Sequence, residues 1–230
     1  FKGEKMIRKI EIGDENLNSV DFIDESGNWY CISHSGTDIY DVEEMVKEGR
    51  KYEGNVIMLV NFEKDIQLTP FEKKENVYIG KPLWYEDAFA VLAVDFNAGE
   101  IYIYSISPKD GKKELLAQVP LEGVSSCYNM RLEKSPLTLL RGEYGDDDDI
   151  IDVLWPEKLK FKTSGTWSME CRDGDLFYFS TWYEDPDYRD EIIIKDIWGN
   201  DVEIIDGFMY DLRDGTKCMI IQKNNKDKKA

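Results

Sequence analysis

The sequence predicts an all-β fold in which one four-stranded antiparallel unit recurs along the chain. Three observations carry that expectation. Short segments rich in Val, Ile, Tyr, Phe and Trp alternate with turns of Gly, Asp, Asn and Pro, the pattern of strands joined by hairpins. The turns closing the first hairpin of each unit fall at about Ser26, Asp87, Lys134, Gly174 and Gly215, which are 61, 47, 40 and 41 residues apart. The last three intervals suit a four-stranded repeat of roughly 40–45 residues. Finally, only one segment carries helical periodicity.

The first unit takes residues 19–23 and 29–33 around the turn Asp24-Glu25-Ser26-Gly27-Asn28, then 56–62 and 66–70 around Glu63-Lys64-Asp65. Residues 77–85 and 88–96, joined at Glu86-Asp87, open the second unit; 101–107 and 114–120 complete it. The third unit comprises 126–132, 136–141, 150–155 and 159–163, and the fourth 166–171, 175–182, 192–197 and 201–205. Two more strands, 208–212 and 216–222, make half a unit. Residues 5–12 form an orphan strand, and the economical reading lets it complete the fifth unit. Closing a ring this way removes the free edges that invite aggregation.

The long first interval is explained by an insertion at about 38–49. There Ile39, Val42, Met45 and Val46 share one helical face. Thr37 or Asp38 caps its start and Gly49 ends it. The helix belongs to the loop between the second and third strands of the first unit.

With these units the chain resembles bacterial β-propeller repeat proteins, specifically a five-bladed ring forming a single domain over residues 1–230. The resemblance rests on strand rhythm and turn residues. Arg172-Asp173-Gly174 and Arg213-Asp214-Gly215 recur at equivalent turns, while the Trp-Asp and Gly-His signatures of the best-known propellers are absent. The alternative fold is a β-sandwich or a pair of small β-domains.

Lys and Arg number 29 against 47 Asp and Glu, a net charge of −18. Such a charge argues against nucleic-acid binding and against a basic membrane-surface protein. With 42% hydrophobic and 13% aromatic residues the chain is too apolar for acidic disorder. No apolar run approaches the roughly 20 residues of a membrane span. The expectation is a monomer, cytoplasmic, or secreted or surface-exposed if a leader precedes Phe1.

The charge is concentrated. Residues 34–53, 95–100, 143–149 and 184–191 hold 18 acids and 4 bases among 41 residues. In a propeller these second-to-third-strand loops share one face. Aromatics accompany the acids, giving a candidate interaction face of Tyr144, Asp146, Asp148, Trp182, Tyr183, Asp187 and Tyr188, with Tyr40 nearby. A candidate ligand site at the channel mouth collects the starts of innermost strands: Asn18, Ser19, Asp21, Tyr78, Lys81, Ser126, Tyr128, Trp167 and Asp206. The expected function is noncatalytic recognition of a protein or small ligand. The alternative is glycoside hydrolysis, which some five-bladed propellers perform; that needs two convergent carboxylates, and Asp21 and Asp206 are the ones on offer.

No cofactor is expected; Asp147, Asp149, Asp185 and Asp187 offer hard oxygens to Ca²⁺, without the spacing of an EF-hand. Cys31, Cys127, Cys171 and Cys218 include no C-x-x-C pair and read as small core hydrophobes, with two long-range disulfides as the alternative in a secreted protein. The lone histidine, His34, excludes sites that need two imidazoles.

Overall fold

The computed structural model describes residues 9, 11–12, 17–34, 36–143, 149–163, 168–212 and 214–221. Four antiparallel sheets follow one another along the chain. β1 (Ser19–Phe22), β2 (Trp29–Ser33), β3 (Met58–Asn61) and β4 (Ile66–Leu68) form the first in that spatial order, with α1 (Ile39–Lys47) between β2 and β3. The second contains β5 (Val77–Ile79) and β6 (Leu83–Tyr85), both on β7 (Ala88–Asp95), then β8 (Glu100–Ile106) and β9 (Lys113–Pro120). β10 (Arg131–Glu133), β11 (Thr138–Glu143), β12 (Asp149–Trp155) and β13 (Leu159–Thr163) make the third. The fourth runs β14 (Ser168–Asp173), β15 (Leu176–Tyr183), β16 (Arg189–Asp196), β17 (Asp201–Asp211) and β18 (Lys217–Ile221). This is a β-propeller-like arrangement of four blades.

The core lies between successive blades. Alternate residues of β7 serve two interfaces, because a strand's side chains point to opposite faces. Phe89, Val91 and Ala93 pack with Trp29, Cys31, Ile57 and Leu59 of the first blade. Ala90, Leu92 and Val94 pack with Cys127, Met130, Leu137 and Leu139 of the third. Leu140, Ile151, Val153 and Phe161 then meet Phe177, Phe179 and Ile193 of the fourth. At the first interface Phe89 is edge-on to Trp29 and to Trp84, each at 5.1 Å between centroids.

Helix α1 forms where expected. Asp38 is its N-cap, and its side chain accepts the N–H of Asp41 at 2.8 Å. The Asp41 side chain returns the bond to the Asp38 N–H. Gly49, at φ +74°, ends the helix by donating to the Val46 carbonyl. Ile39 is buried in the interface between the second and third blades, so the insertion of the first blade reaches across to its successors.

Three expectations are corrected. Residues 77–85 form two strands, not one. Gly80 donates to the Leu92 carbonyl at 2.8 Å, then Pro82, which has no N–H, interrupts the ladder before β6. The third blade's first strand begins at Arg131 rather than 126, because the polar groups of Ser126 and Cys127 bond elsewhere.

The fifth blade is the third correction. No turn separates 205 from 208; β17 runs unbroken through Gly207, pairing first with β16 and then with β18. The last two strands are therefore an extension of the fourth sheet. The proposed closing segment 5–12 lies largely outside the described residues; those of it that are described, 9, 11 and 12, are in neither helix nor strand.

Candidate functional site

Of the residues expected at the channel mouth, Asp21 and Lys81 meet. Asp21 of β1 meets Lys81, which follows β5, at 2.9 Å, and accepts the Ser19 hydroxyl at 3.1 Å. The Asn18 N–H donates to the Ser33 carbonyl at 3.0 Å. Burial pushes the phenol of Tyr78 up to about 12, with the Asp38 carboxylate adding to the shift.

Ser126 and Tyr128 belong to a separate network organised by α1. Glu43 is only 6% exposed. Its carboxylate accepts the Cys127 N–H at 2.8 Å and the Ser126 hydroxyl at 3.2 Å, while Lys47 pairs with it at 3.2 Å. The Ser126 carbonyl accepts from Arg141 at 2.8 Å, and Arg141 also pairs with Glu143 at 2.5 Å and Asp152 at 3.4 Å. Arg141 is completely buried. Tyr128 packs edge-on against Tyr40 of α1, with centroids 5.4 Å apart. Sequence reasoning named Ser126 and Tyr128 but missed Glu43 and Arg141. A charged residue on the apolar side of the helix was the available signal for Glu43.

Asp206 is not at the start of an innermost strand. It sits within β17, opposite Glu191 of β16, because β17 is continuous there. The carboxylates offered for hydrolysis thus stand on the first strand of one blade and the fourth strand of another, and Asp21 is engaged by Lys81. Trp167 lies outside the described residues.

At the β15–β16 hairpin tip, Trp182 and Tyr188 are 55% and 68% exposed, and Asp185 and Asp187 are also exposed. Arg189 organises the tip. Its guanidinium lies 4.0 Å over the Tyr183 ring, pairs with Glu191 at 3.1 Å and donates to the Asp185 carbonyl at 3.3 Å. The Tyr188 hydroxyl donates to Asp190 at 3.0 Å, and that carboxylate raises the pKa of the phenol. Tyr144, Asp146, Asp147 and Asp148 lie outside the described residues. Asp149 is buried at the start of β12, away from solvent. Among the described residues, no three His, Cys, Asp or Glu side chains converge to hold a metal ion.

Sequence reasoning gave the first-hairpin turns no role, yet they converge. Glu25 pairs with Lys134 at 3.2 Å, and the Gly174 N–H donates to the Ser135 carbonyl at 2.7 Å. Gly215 lies so close to Glu25 that a Cβ there would sit 2.7 Å from its Cγ. These turns rim a cavity of about 420 Å³, whose wall includes Cys171, Tyr178, Met209, Lys217 and Met219.

All four cysteines are free thiols; Cys31 and Cys127 are buried and Cys171 and Cys218 half-buried. His34 lies against Gly36 in the loop after β2. Among the described residues, no helix is long and apolar enough to cross a membrane.

No family model matches the sequence, and no curated protein matches it. Among solved structures, the chain is similar to one from a structural and mechanistic study of two prolyl endopeptidases, at 15% identity and a TM-score of 0.48. The match covers 86% of this chain and 29% of that one, so the chain spans less than a third of that protein's length.

Proposed function

We propose that the protein is a noncatalytic recognition module that receives a cationic segment of a partner protein on its acidic, aromatic-bearing loops. The observation that carries this reading is the β15–β16 tip, where Trp182 and Tyr188 stand exposed among Asp185, Asp187 and Asp190. Exposed aromatic faces beside carboxylates suit Lys and Arg side chains, which gain both ion pairing and cation–π attraction. Arg189 over Tyr183 is an internal example of that contact. The hydrolase reading has less support, because Asp21 already holds Lys81 and Asp206 stands on a fourth strand.

The test uses fluorescent peptides rich in Lys and Arg, with Glu-rich peptides of equal length as the comparison. Binding should weaken about tenfold in a Trp182→Ala, Tyr188→Ala variant, a loss expected when interface aromatics are truncated. It should also fall with rising salt. Equal affinity in the variant and the wild type would refute the reading.

We also propose that residues 5–12 add to β18 and close the ring. Three observations support it: β18 is the outer strand of its sheet, Gly215 adjoins Glu25 of the first blade, and Lys5, Arg8 and Lys9 outnumber Glu11 in a chain of charge −18.

A further inference from the structure

Three blade interfaces are filled by closely packed apolar side chains, Cys31, Cys127 and Met130 among them. The space between the β14–β15 pair and the β17–β18 ribbon is different: it holds the cavity of about 420 Å³. Its wall carries three sulfur atoms, from Cys171, Met209 and Met219.

Their placement follows from register. Met209 and Met219 are direct partners across β17 and β18. Residues so paired have Cβ atoms about 4.5–5.5 Å apart on one face of the ribbon. Cys171 is the direct partner of Tyr178 across β14 and β15, and both face the same cavity. Two strand pairs thus place a thiol and two flexible thioethers on the wall of one half-open cavity, with Met219 40% exposed. Methionine, with three rotatable bonds, adapts to the position of a bound atom better than a branched aliphatic side chain does.

We propose that this cavity is a soft-metal site that binds Cu(I) through Cys171 Sγ, Met209 Sδ and Met219 Sδ. Thiolate and thioether donors select Cu(I), whereas hard cations require oxygen. Of the three carboxylates in its lining, Glu25 pairs with Lys134 at 3.2 Å and Glu133 with Arg131 at 2.7 Å, while Asp173 is exposed at the end of β14. On binding, the Cys171 S–H bond breaks, its proton passes to solvent, and the thiolate forms a bond to copper. The two thioethers donate lone pairs, and copper stays in the +1 state. Burial pushes the Cys171 thiol up to about 11, against the opposing charge of Lys217, so the metal must displace a proton near neutrality.

The experiment is an anaerobic titration of the full chain with Cu(I) against a competing bidentate Cu(I) chelator, with Zn(II) run in parallel. About one equivalent of Cu(I) should bind and Zn(II) should not compete, as the donor set requires. Met209→Leu with Met219→Leu keeps the side-chain volume and should weaken binding about tenfold or more, by loss of both thioether ligands. Cys171→Ser should abolish the site and Cys218→Ser should leave it intact. The unfolding midpoint of each metal-free variant is measured alongside; if the double variant does not fold, the single Met209→Leu variant takes its place. The proposal is overturned if the wild type fails to hold Cu(I) against the chelator. It is equally overturned if the folded Leu variant binds as tightly as the wild type, or if Cys218→Ser is the change that removes binding.

Discussion

The carboxylate of Glu43 on α1 accepts the backbone N–H of Cys127 at 2.8 Å, across 84 positions of sequence. That bond ties an insertion of the first blade to the entry of the third. Residues 126–130 stay out of the sheet: the Ser126 hydroxyl and Cys127 N–H are committed to the helix, and the Tyr128 and Met130 N–H groups bond within the segment. Glu43→Ala should therefore lower stability by about 1–3 kcal/mol, the cost of leaving a buried N–H unpaired. Urea unfolding checks this, and hydrogen exchange should show the Cys127 amide losing protection. Unchanged stability and protection would mean that the helix is held by Ile39 and Val42 alone.

The strand rhythm and the helix were legible because they depend on local chemistry. Asp38 and Gly49 announce their helix, and Gly174 marks its turn. Less legible were features set by distant partners. The Glu43–Cys127 bond shortens the strand expected from 126, and nothing within 126–132 foretells it. The β17 extension was hidden for another reason. Gly207 between Asp206 and Phe208 reads as a break, whereas its missing Cβ permits a close crossing. Asp21 and Lys81 were each legible as mouth candidates, but their ion pair was not. The sulfur-lined cavity was not, because Met209 and Met219 meet only once β17 and β18 are in register.

Gly207 has φ +155°, and a Cβ there would lie 2.2 Å from the Ile220 carbonyl oxygen. Gly207→Ala should therefore force β17 and β18 apart and cost about 1–3 kcal/mol, as for a side chain placed in backbone geometry reserved for glycine. Amide exchange over Lys217–Ile221 should accelerate while β15 and β16 keep their protection. If β18 amides in the variant exchange at the wild-type rate, the close approach does not constrain the ribbon.

Arg141 is wholly buried and holds Glu143, Asp152 and the Ser126 carbonyl. Removing one partner of a buried charge network strands the rest, so Arg141→Ala should destabilise by about 3–5 kcal/mol. Arg141→Lys should recover little of this, since a single ammonium cannot span three acceptors in the plane of a guanidinium. Denaturant midpoints of both variants decide the matter. A lysine variant as stable as the wild type would show that charge alone is needed.

The core thiols give the protein a defined alkaline limit. Cys31 and Cys127 have pKa values raised from the ordinary 9.0 to about 12, chiefly by burial, with Asp21 adding to the first and Glu43 to the second. Between those values the unfolded chain loses these protons and the folded chain keeps them. The folded state then binds more protons, so stability is complete below pH 9.0 and falls as pH rises toward 12. Each thiol contributes a slope of about 1.4 kcal/mol per pH unit in that window. Tyr52 and Tyr78, raised from 10.0 to about 12 by burial, steepen the fall above pH 10. Urea midpoints measured across this range should decline steadily, and Cys31→Ala with Cys127→Ala should flatten the decline between pH 9 and 10 even though the variant starts less stable. An unaltered slope in that variant would assign the alkaline loss to other groups. A flattened slope would show that both thiols stay neutral because they sit at the packed interfaces joining the first three blades.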